Sequence, residues 1–213
     1  MLPMGHYFKT KGYTVCGVRL KGHGTTPQDM AQTRWEDWLD SAEQSYKKLE
    51  SVCDEIYVIG FSMGGILAIN LGLNHKSKAV AVISAPIYIM NKKTILVPFL
   101  KLFKKYEMKR KGKTEIDKYN IGYDRTPLVC AQSLMQLIRF TKRRIKLFDT
   151  PIIIFQSKDD ATVNYKSAKY IFNNVKSTRK KLSWLEDVGH MVVLSKEKEK
   201  VFREIDRFFI NTK

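Results

Sequence analysis

The chain is poor in cysteine, in long apolar runs and in acidic charge, and each shortage removes a class of protein. Cys16, Cys53 and Cys130 stand far apart with no C-x-x-C spacing. That pattern argues against a zinc site and against a disulfide framework. Reduced thiols in a cytoplasmic protein are the simplest reading. No apolar run approaches the ~20 residues that cross a bilayer. The opening Met1-Leu2-Pro3-Met4-Gly5-His6 shows no basic leader followed by an apolar core, so no signal peptide is visible. Internal repeats and low-complexity linkers are absent. Acidic residues number 21 against 38 Lys and Arg, which leaves a formal net charge of +17. Such a surplus can mark contact with nucleic acid or an anionic membrane. No nucleic-acid module accompanies it, and no tract alternates aromatic and basic residues. The dense patches at Lys92–Lys118, Lys142–Lys146 and Lys176–Lys181 therefore read as solvated surface, and no nucleic-acid partner is expected.

What is present suits one globular domain. The 213 residues are 44% hydrophobic and 28% charged, enough for a substantial core. The most informative stretch is Tyr57-Val58-Ile59-Gly60-Phe61-Ser62-Met63-Gly64-Gly65-Ile66. An apolar run, Ile56 to Ile59, reads as a buried parallel strand, and Ile66 to Leu73 has helical character. Strand, Gly-x-Ser-x-Gly, helix is the context of a nucleophile elbow. Strand and helix are expected to come so close that a Cβ two residues before or after the serine would clash. Ser62 is then strained, with its hydroxyl above the sheet. The Met63 amide, at the first helical turn, points into the same space as an oxyanion donor.

The rest of the chain alternates. Residues 4–11 look like the last turns of a helix that Gly12 ends. Tyr13 to Leu20 reads as a strand, followed by a loop from Gly22 to Pro27 whose His23 is expected to be structural. Thr33 with Glu36 fits a capping box opening a helix to about Val52. Trp35, Trp38, Leu39, Ala42, Tyr46 and Leu49 form its buried stripe. Ala79 to Ser84 is a further strand. Residues 88–149 show no convincing strand. Helical stretches at Ile95–Tyr106 and Ala131–Phe148, with a loop at Lys109–Lys113, mark a helical insertion. Pro151 to Gln156 and Lys180 to Leu185 restore strands, separated by a helix from Ser167 to Val175. A helix from Lys196 to Ile210 closes the chain. This alternation predicts an α/β fold with a mainly parallel sheet covered on both faces. The core comprises residues 1–87 and 150–213, and 88–149 is a cap insertion.

Ser62 needs a base and an orienting acid, because a hydroxyl is a poor nucleophile unless an imidazole takes its proton. His190 follows the strand Lys180–Leu185 and Asp159 follows the strand Pro151–Gln156, at the same sheet edge as the elbow. Asp159 is the expected acid. Asp160 beside it is the alternative, since the second acid of such a turn is usually solvated. Asp187 is too near His190 in sequence to orient it easily.

Several segments together resemble the bacterial carboxylesterase and monoacylglycerol-lipase-like branch of the α/β-hydrolases. They are Lys11-Gly12-Tyr13-Thr14, Lys21-Gly22-His23-Gly24, Gly60-Phe61-Ser62-Met63-Gly64-Gly65, Ala85-Pro86-Ile87-Tyr88, Gln156-Ser157-Lys158-Asp159-Asp160 and Gly189-His190. The resemblance implies a serine esterase of short- to medium-chain esters or monoacylglycerols, acylated on Ser62 and needing no cofactor or metal. Its partner would be a small-molecule ester, and the basic cap offers a surface for transient lipid contact. Family members open with strands and a His-Gly loop that supplies a second oxyanion amide. The one His-Gly segment before the elbow, Gly22-His23-Gly24, belongs to the loop of the next strand, so the expectation is an N-terminally truncated α/β-hydrolase fold. The competing readings are an impaired fragment and another α/β-hydrolase reaction on the same triad.

Overall fold

The structure, a computed structural model, describes residues 1–91, 97, 100, 104–108 and 123–212. The main sheet has four parallel strands in the order β1 (Tyr57–Phe61), β2 (Ala79–Ile83), β5 (Ile152–Ser157), β6 (Lys180–Leu185). Every residue of β2 and β5 is buried, as expected for parallel strands covered on both faces. Alternation along these strands feeds two cores. Val80, Val82, Ile152 and Ile154 point to one face, under α3 (Trp35–Glu50), α4 (Met63–Asn74), α5 (Leu128–Arg144) and α6 (Lys166–Asn174). Ala79, Ala81, Ile83, Ile153 and Phe155 point to the other, under α1 (Leu2–Thr10) and α7 (Lys198–Ile210). The α/β class with a parallel sheet covered on both faces, expected from the alternation, is the one observed.

Four local expectations need correction. Tyr13 to Leu20 is not a strand and belongs to no sheet. Its ends are anchored: the Tyr13 hydroxyl donates to Asp206 at 3.0 Å, and Leu20 packs on the core. Between them Val15 and Val18 are exposed. A β-rich composition makes a strand only where a neighbour accepts its ladder, and among the described residues β1 pairs with β2 alone. The helix expected to start at a Thr33–Glu36 box starts one residue later. Asp37 accepts from the Arg34 amide at 2.9 Å, while the Thr33 hydroxyl donates to the Met30 carbonyl and accepts from Trp38 Nε1. A short helix, α2 (Pro27–Ala31), capped by Thr26 and Asp29, follows the loop after Gly22. Finally, 88–149 does contain strands. β3 (Tyr106–Met108) and β4 (Arg125–Pro127) pair antiparallel in a two-stranded sheet separate from the main one. Tyr106 is therefore strand where a helical stretch was expected; the rest of Ile95–Tyr106 falls mostly, and the loop at Lys109–Lys113 wholly, outside the described residues.

Residues 123–141 join the rest of the molecule through specific bonds. The Tyr123 hydroxyl donates to the Gly22 carbonyl and accepts from the Thr25 amide, at 2.8 and 2.9 Å. Ser133 on α5 accepts from the Trp35 amide at 2.7 Å, and Leu137 and Ile138 are buried against α4 and its neighbours. Asn70 on α4, fully buried, donates to Thr141 Oγ1 on α5 at 2.7 Å, so the polar pair is satisfied inside the core.

The turn from β1 into α4 depends on glycine asymmetrically. A Cβ on Gly60 would lie 2.1 Å from the Gly64 carbonyl oxygen and 2.6 Å from the Gly65 nitrogen, all backbone. A Cβ on Gly64 would meet nothing within 4 Å, against the symmetric clash expected from the motif. The second tight position is Gly65, where a Cβ would come 2.8 Å from Ala85 Cβ. Gly60→Ala should therefore lower the unfolding free energy by about 3 kcal/mol or prevent folding, since backbone cannot be repacked. Gly64→Ala should be neutral or stabilising by up to about 1 kcal/mol, the helix-propensity difference. Urea denaturation of the two variants checks the contrast, and equal losses would contradict it.

Candidate active site

Three strand ends converge at the carboxyl edge of the sheet. Ser62 follows β1 directly. Its backbone sits at φ 53°, ψ −125°, a conformation that a side chain rarely adopts. It is held there from both sides: its amide donates to the Ile83 carbonyl at the end of β2, and its carbonyl accepts from the Gly65 amide, each at 2.8 Å. Met63 is the first residue of α4, so its amide is among those with no intrahelical acceptor and lies at the positive end of the helix.

His190 lies beyond β6, after Gly189 at φ 60°. Its Nε2 is 3.0 Å from Ser62 Oγ, and its Nδ1 is 2.8 Å from Asp160 Oδ2. The Phe61 ring leans against the imidazole, 5.1 Å between centroids. The structure thus brings Ser62 and His190 together, and the acid at His190 is Asp160, not Asp159. Asp159 is exposed and accepts from the Asp187 amide at 2.8 Å. Asp160 is 5% exposed, and its other oxygen accepts from the amides of Thr162 and Val163, both at 2.8 Å. The chain after β5 therefore folds back around the second carboxylate, leaving the first in solvent. The signal was in the spacing: an Asp whose side chain caps the amides two and three residues on is a common turn device. The reasoning that the second acid of the turn is the solvated one missed it.

Electrostatics fix the proton positions. Burial alone would raise the Asp160 pKa. The hydrogen bond from His190 and the amide of Val163, with the His190 charge and the Thr162 amide, outweigh it and hold the carboxyl below the usual range. An ionised carboxylate only accepts, so His190 Nδ1 carries a proton and the Nε2 lone pair faces the Ser62 hydroxyl. That arrangement can take the serine proton and hold the resulting imidazolium against a buried negative charge. His23 sits elsewhere in the loop, with Nδ1 3.3 Å from the Lys21 carbonyl and its ring edge-on to Trp38. Among the described residues, no cluster of three or more His, Cys, Asp or Glu is placed to hold a metal ion.

Comparison with known proteins places the chain in a family. The model of the family Hydrolase_4, described as serine aminopeptidase, S33, matches residues 2–119 and 110–199. A carboxylesterase of Bacillus subtilis (strain 168) is 27% identical over 209 residues, covering 96% of this chain and 84% of that one. A thermostable monoacylglycerol lipase of Bacillus sp. (strain H-257) is 30% identical over 210 residues, covering 98% and 84%. A solved structure from work on LipS and LipT, two metagenome-derived lipolytic enzymes, superposes with a TM-score of 0.92 at 26% identity. It covers 99% of this chain and 87% of that one. A soluble variant of the Saccharomyces cerevisiae monoglyceride lipase shares the fold, with a TM-score of 0.75 at 17% identity over 90% and 75% of the two chains. The chain belongs to the Hydrolase_4 family of serine hydrolases, in the esterase and monoacylglycerol-lipase-like part of the α/β-hydrolase superfamily.

Proposed function

We propose that the protein hydrolyses short- to medium-chain carboxylic esters or monoacylglycerols through an acyl-enzyme on Ser62. The observation that carries this reading is the continuous hydrogen-bonded path from Ser62 Oγ through His190 to Asp160, 3.0 and 2.8 Å per step. Two curated relatives, a carboxylesterase and a monoacylglycerol lipase, favour an ester as the substrate. In the first half-reaction Ser62 Oγ attacks the ester carbonyl as His190 Nε2 takes its proton. The tetrahedral oxyanion is stabilised by the Met63 amide at the head of α4. His190 then protonates the departing alcohol. In the second half-reaction His190 activates a water that releases the acid and frees Ser62. Asp160 holds the imidazole in the required tautomer throughout. Residues 88–149 act as a cap over the acyl-binding side, and the Tyr123 hydroxyl ties that segment to Gly22 and Thr25. The basic surface of this insertion would serve transient contact with lipid.

An organophosphonate probe should label Ser62, and Ser62→Ala should abolish labelling; label on another serine overturns the nucleophile. Hydrolysis of p-nitrophenyl acetate, butyrate and octanoate reads substrate class. Faster turnover of aminoacyl p-nitroanilides than of all three esters would replace esterase by peptidase activity.

The two adjacent carboxylates give a sharper test. Asp160→Asn should lower kcat by on the order of 10⁴, because the neutral amide no longer selects the tautomer. Asp159→Asn should leave kcat essentially unchanged. The reverse ranking would return the acid to Asp159.

A further inference from the structure

We propose that Gln156, the penultimate residue of β5, is a positioning residue that holds Asp160 against His190. This rests on reading Ser62, His190 and Asp160 as the catalytic relay. Gln156 is fully buried, and its Nε2 donates to Asp160 Oδ2 at 3.1 Å and to the Ser157 carbonyl at 3.2 Å. Oδ2 is the same oxygen that accepts from His190 Nδ1. The two carboxylate oxygens are thus restrained separately. Oδ1 is held by the loop amides of Thr162 and Val163, and Oδ2 is aimed by one side chain. Without Gln156 the carboxylate can still sit in its turn, but among the described residues only the imidazole itself then bonds to the oxygen that the imidazole must find.

The amide can face only one way. Its oxygen towards an ionised carboxylate would set two acceptors together in a buried site, so the NH₂ group faces Asp160. That choice turns Gln156 Oε1 away, and it has no hydrogen-bond partner among the described residues. One other atom near this level shares that condition. Ser84 is fully buried, sits at φ 49°, and its hydroxyl is unpartnered. Ile83 pairs with Phe155 in the parallel register, and the Ser84 amide donates to the Phe155 carbonyl at 2.9 Å. Ser84 and Gln156 thus each sit one residue beyond this paired position on adjacent strands, and each carries a buried polar atom with no hydrogen-bond partner among the described residues. Nearby charges do not compete for Asp160: Asp159 is taken by the Asp187 amide, and Lys158 pairs with Glu186.

The deciding measurement needs no substrate. In the wild type, proton NMR should show a low-field resonance from His190 Nδ1–H, lost in His190→Ala. In folded Gln156→Leu that resonance should move upfield and exchange faster with water, because the accepting oxygen is no longer aimed. An unchanged resonance overturns the proposal, whatever the activity. If the Leu variant does not fold, Gln156→Glu decides. Protonated Glu keeps a donor on Asp160 and ionised Glu repels it, so the resonance should be lost on raising the pH while the wild type retains it. A resonance following the wild type throughout overturns the proposal. On the ester substrate, Gln156→Leu should lower kcat about tenfold or more with KM within about twofold, the scale of one hydrogen bond to a charged group. Absence of ester hydrolysis and of Ser62 labelling in the wild type would instead refute the esterase reading, while the resonance still reports on Gln156.

Discussion

Ser62 keeps its strained backbone because its neighbours leave it no alternative. The Ile83 carbonyl takes its amide, the Gly65 amide takes its carbonyl, and Gly60 lets the helix backbone come within a distance that no Cβ would permit. A residue at φ 53° costs of order 1–3 kcal/mol and persists only when the surroundings over-determine it. Here the surroundings are β2, buried at every residue, and α4, buried over most of its length. The strain is supported by a core whose alternating faces are filled from both sides. The hydroxyl is thereby placed at the sheet edge before any substrate arrives.

The same edge receives the other two groups from independent elements. His190 comes from the turn after β6, where positive φ at Asp187 and Gly189 reverses the chain. Asp160 comes from the turn after β5, wrapped by its own loop amides. Because β1, β2, β5 and β6 are parallel, all their carboxyl ends open on one side, and a short loop from each suffices to assemble the site. Burial of Asp160 would by itself favour the neutral acid. The donors around it reverse that preference, and a buried negative charge is what the imidazole needs opposite its Nδ1.

Much of this was legible in the residues. β2 and β5 appear as apolar, β-branched runs of the right length. The stripe of Trp38, Ala42 and Tyr46 marked the buried face of α3. Gly-x-Ser-x-Gly located the strand-to-helix turn. What was not legible depended on partners. Tyr13 to Leu20 has strand composition but no ladder to join. The choice between Asp159 and Asp160 turned on which carboxylate the Thr162 and Val163 amides would capture, a contact set by loop closure after β5. The glycine that yields to Ala85 is Gly65 rather than Gly64, because the obstacle comes from the loop after β2, which no local motif encodes. Gln156 read only as the polar end of a strand. Its meaning appears once Asp160 is seen to turn back over it.

The most direct test of the account is a high-resolution crystal structure of the protein after reaction with an alkyl phosphonate ester. The account predicts phosphorus bonded to Ser62 Oγ, a phosphonyl oxygen within hydrogen-bond reach of the Met63 amide, and His190 Nδ1 still on Asp160 Oδ2 with Gln156 Nε2 beside it. An adduct on another residue, or His190 swung to Asp159 with Asp160 left without the imidazole, would contradict it.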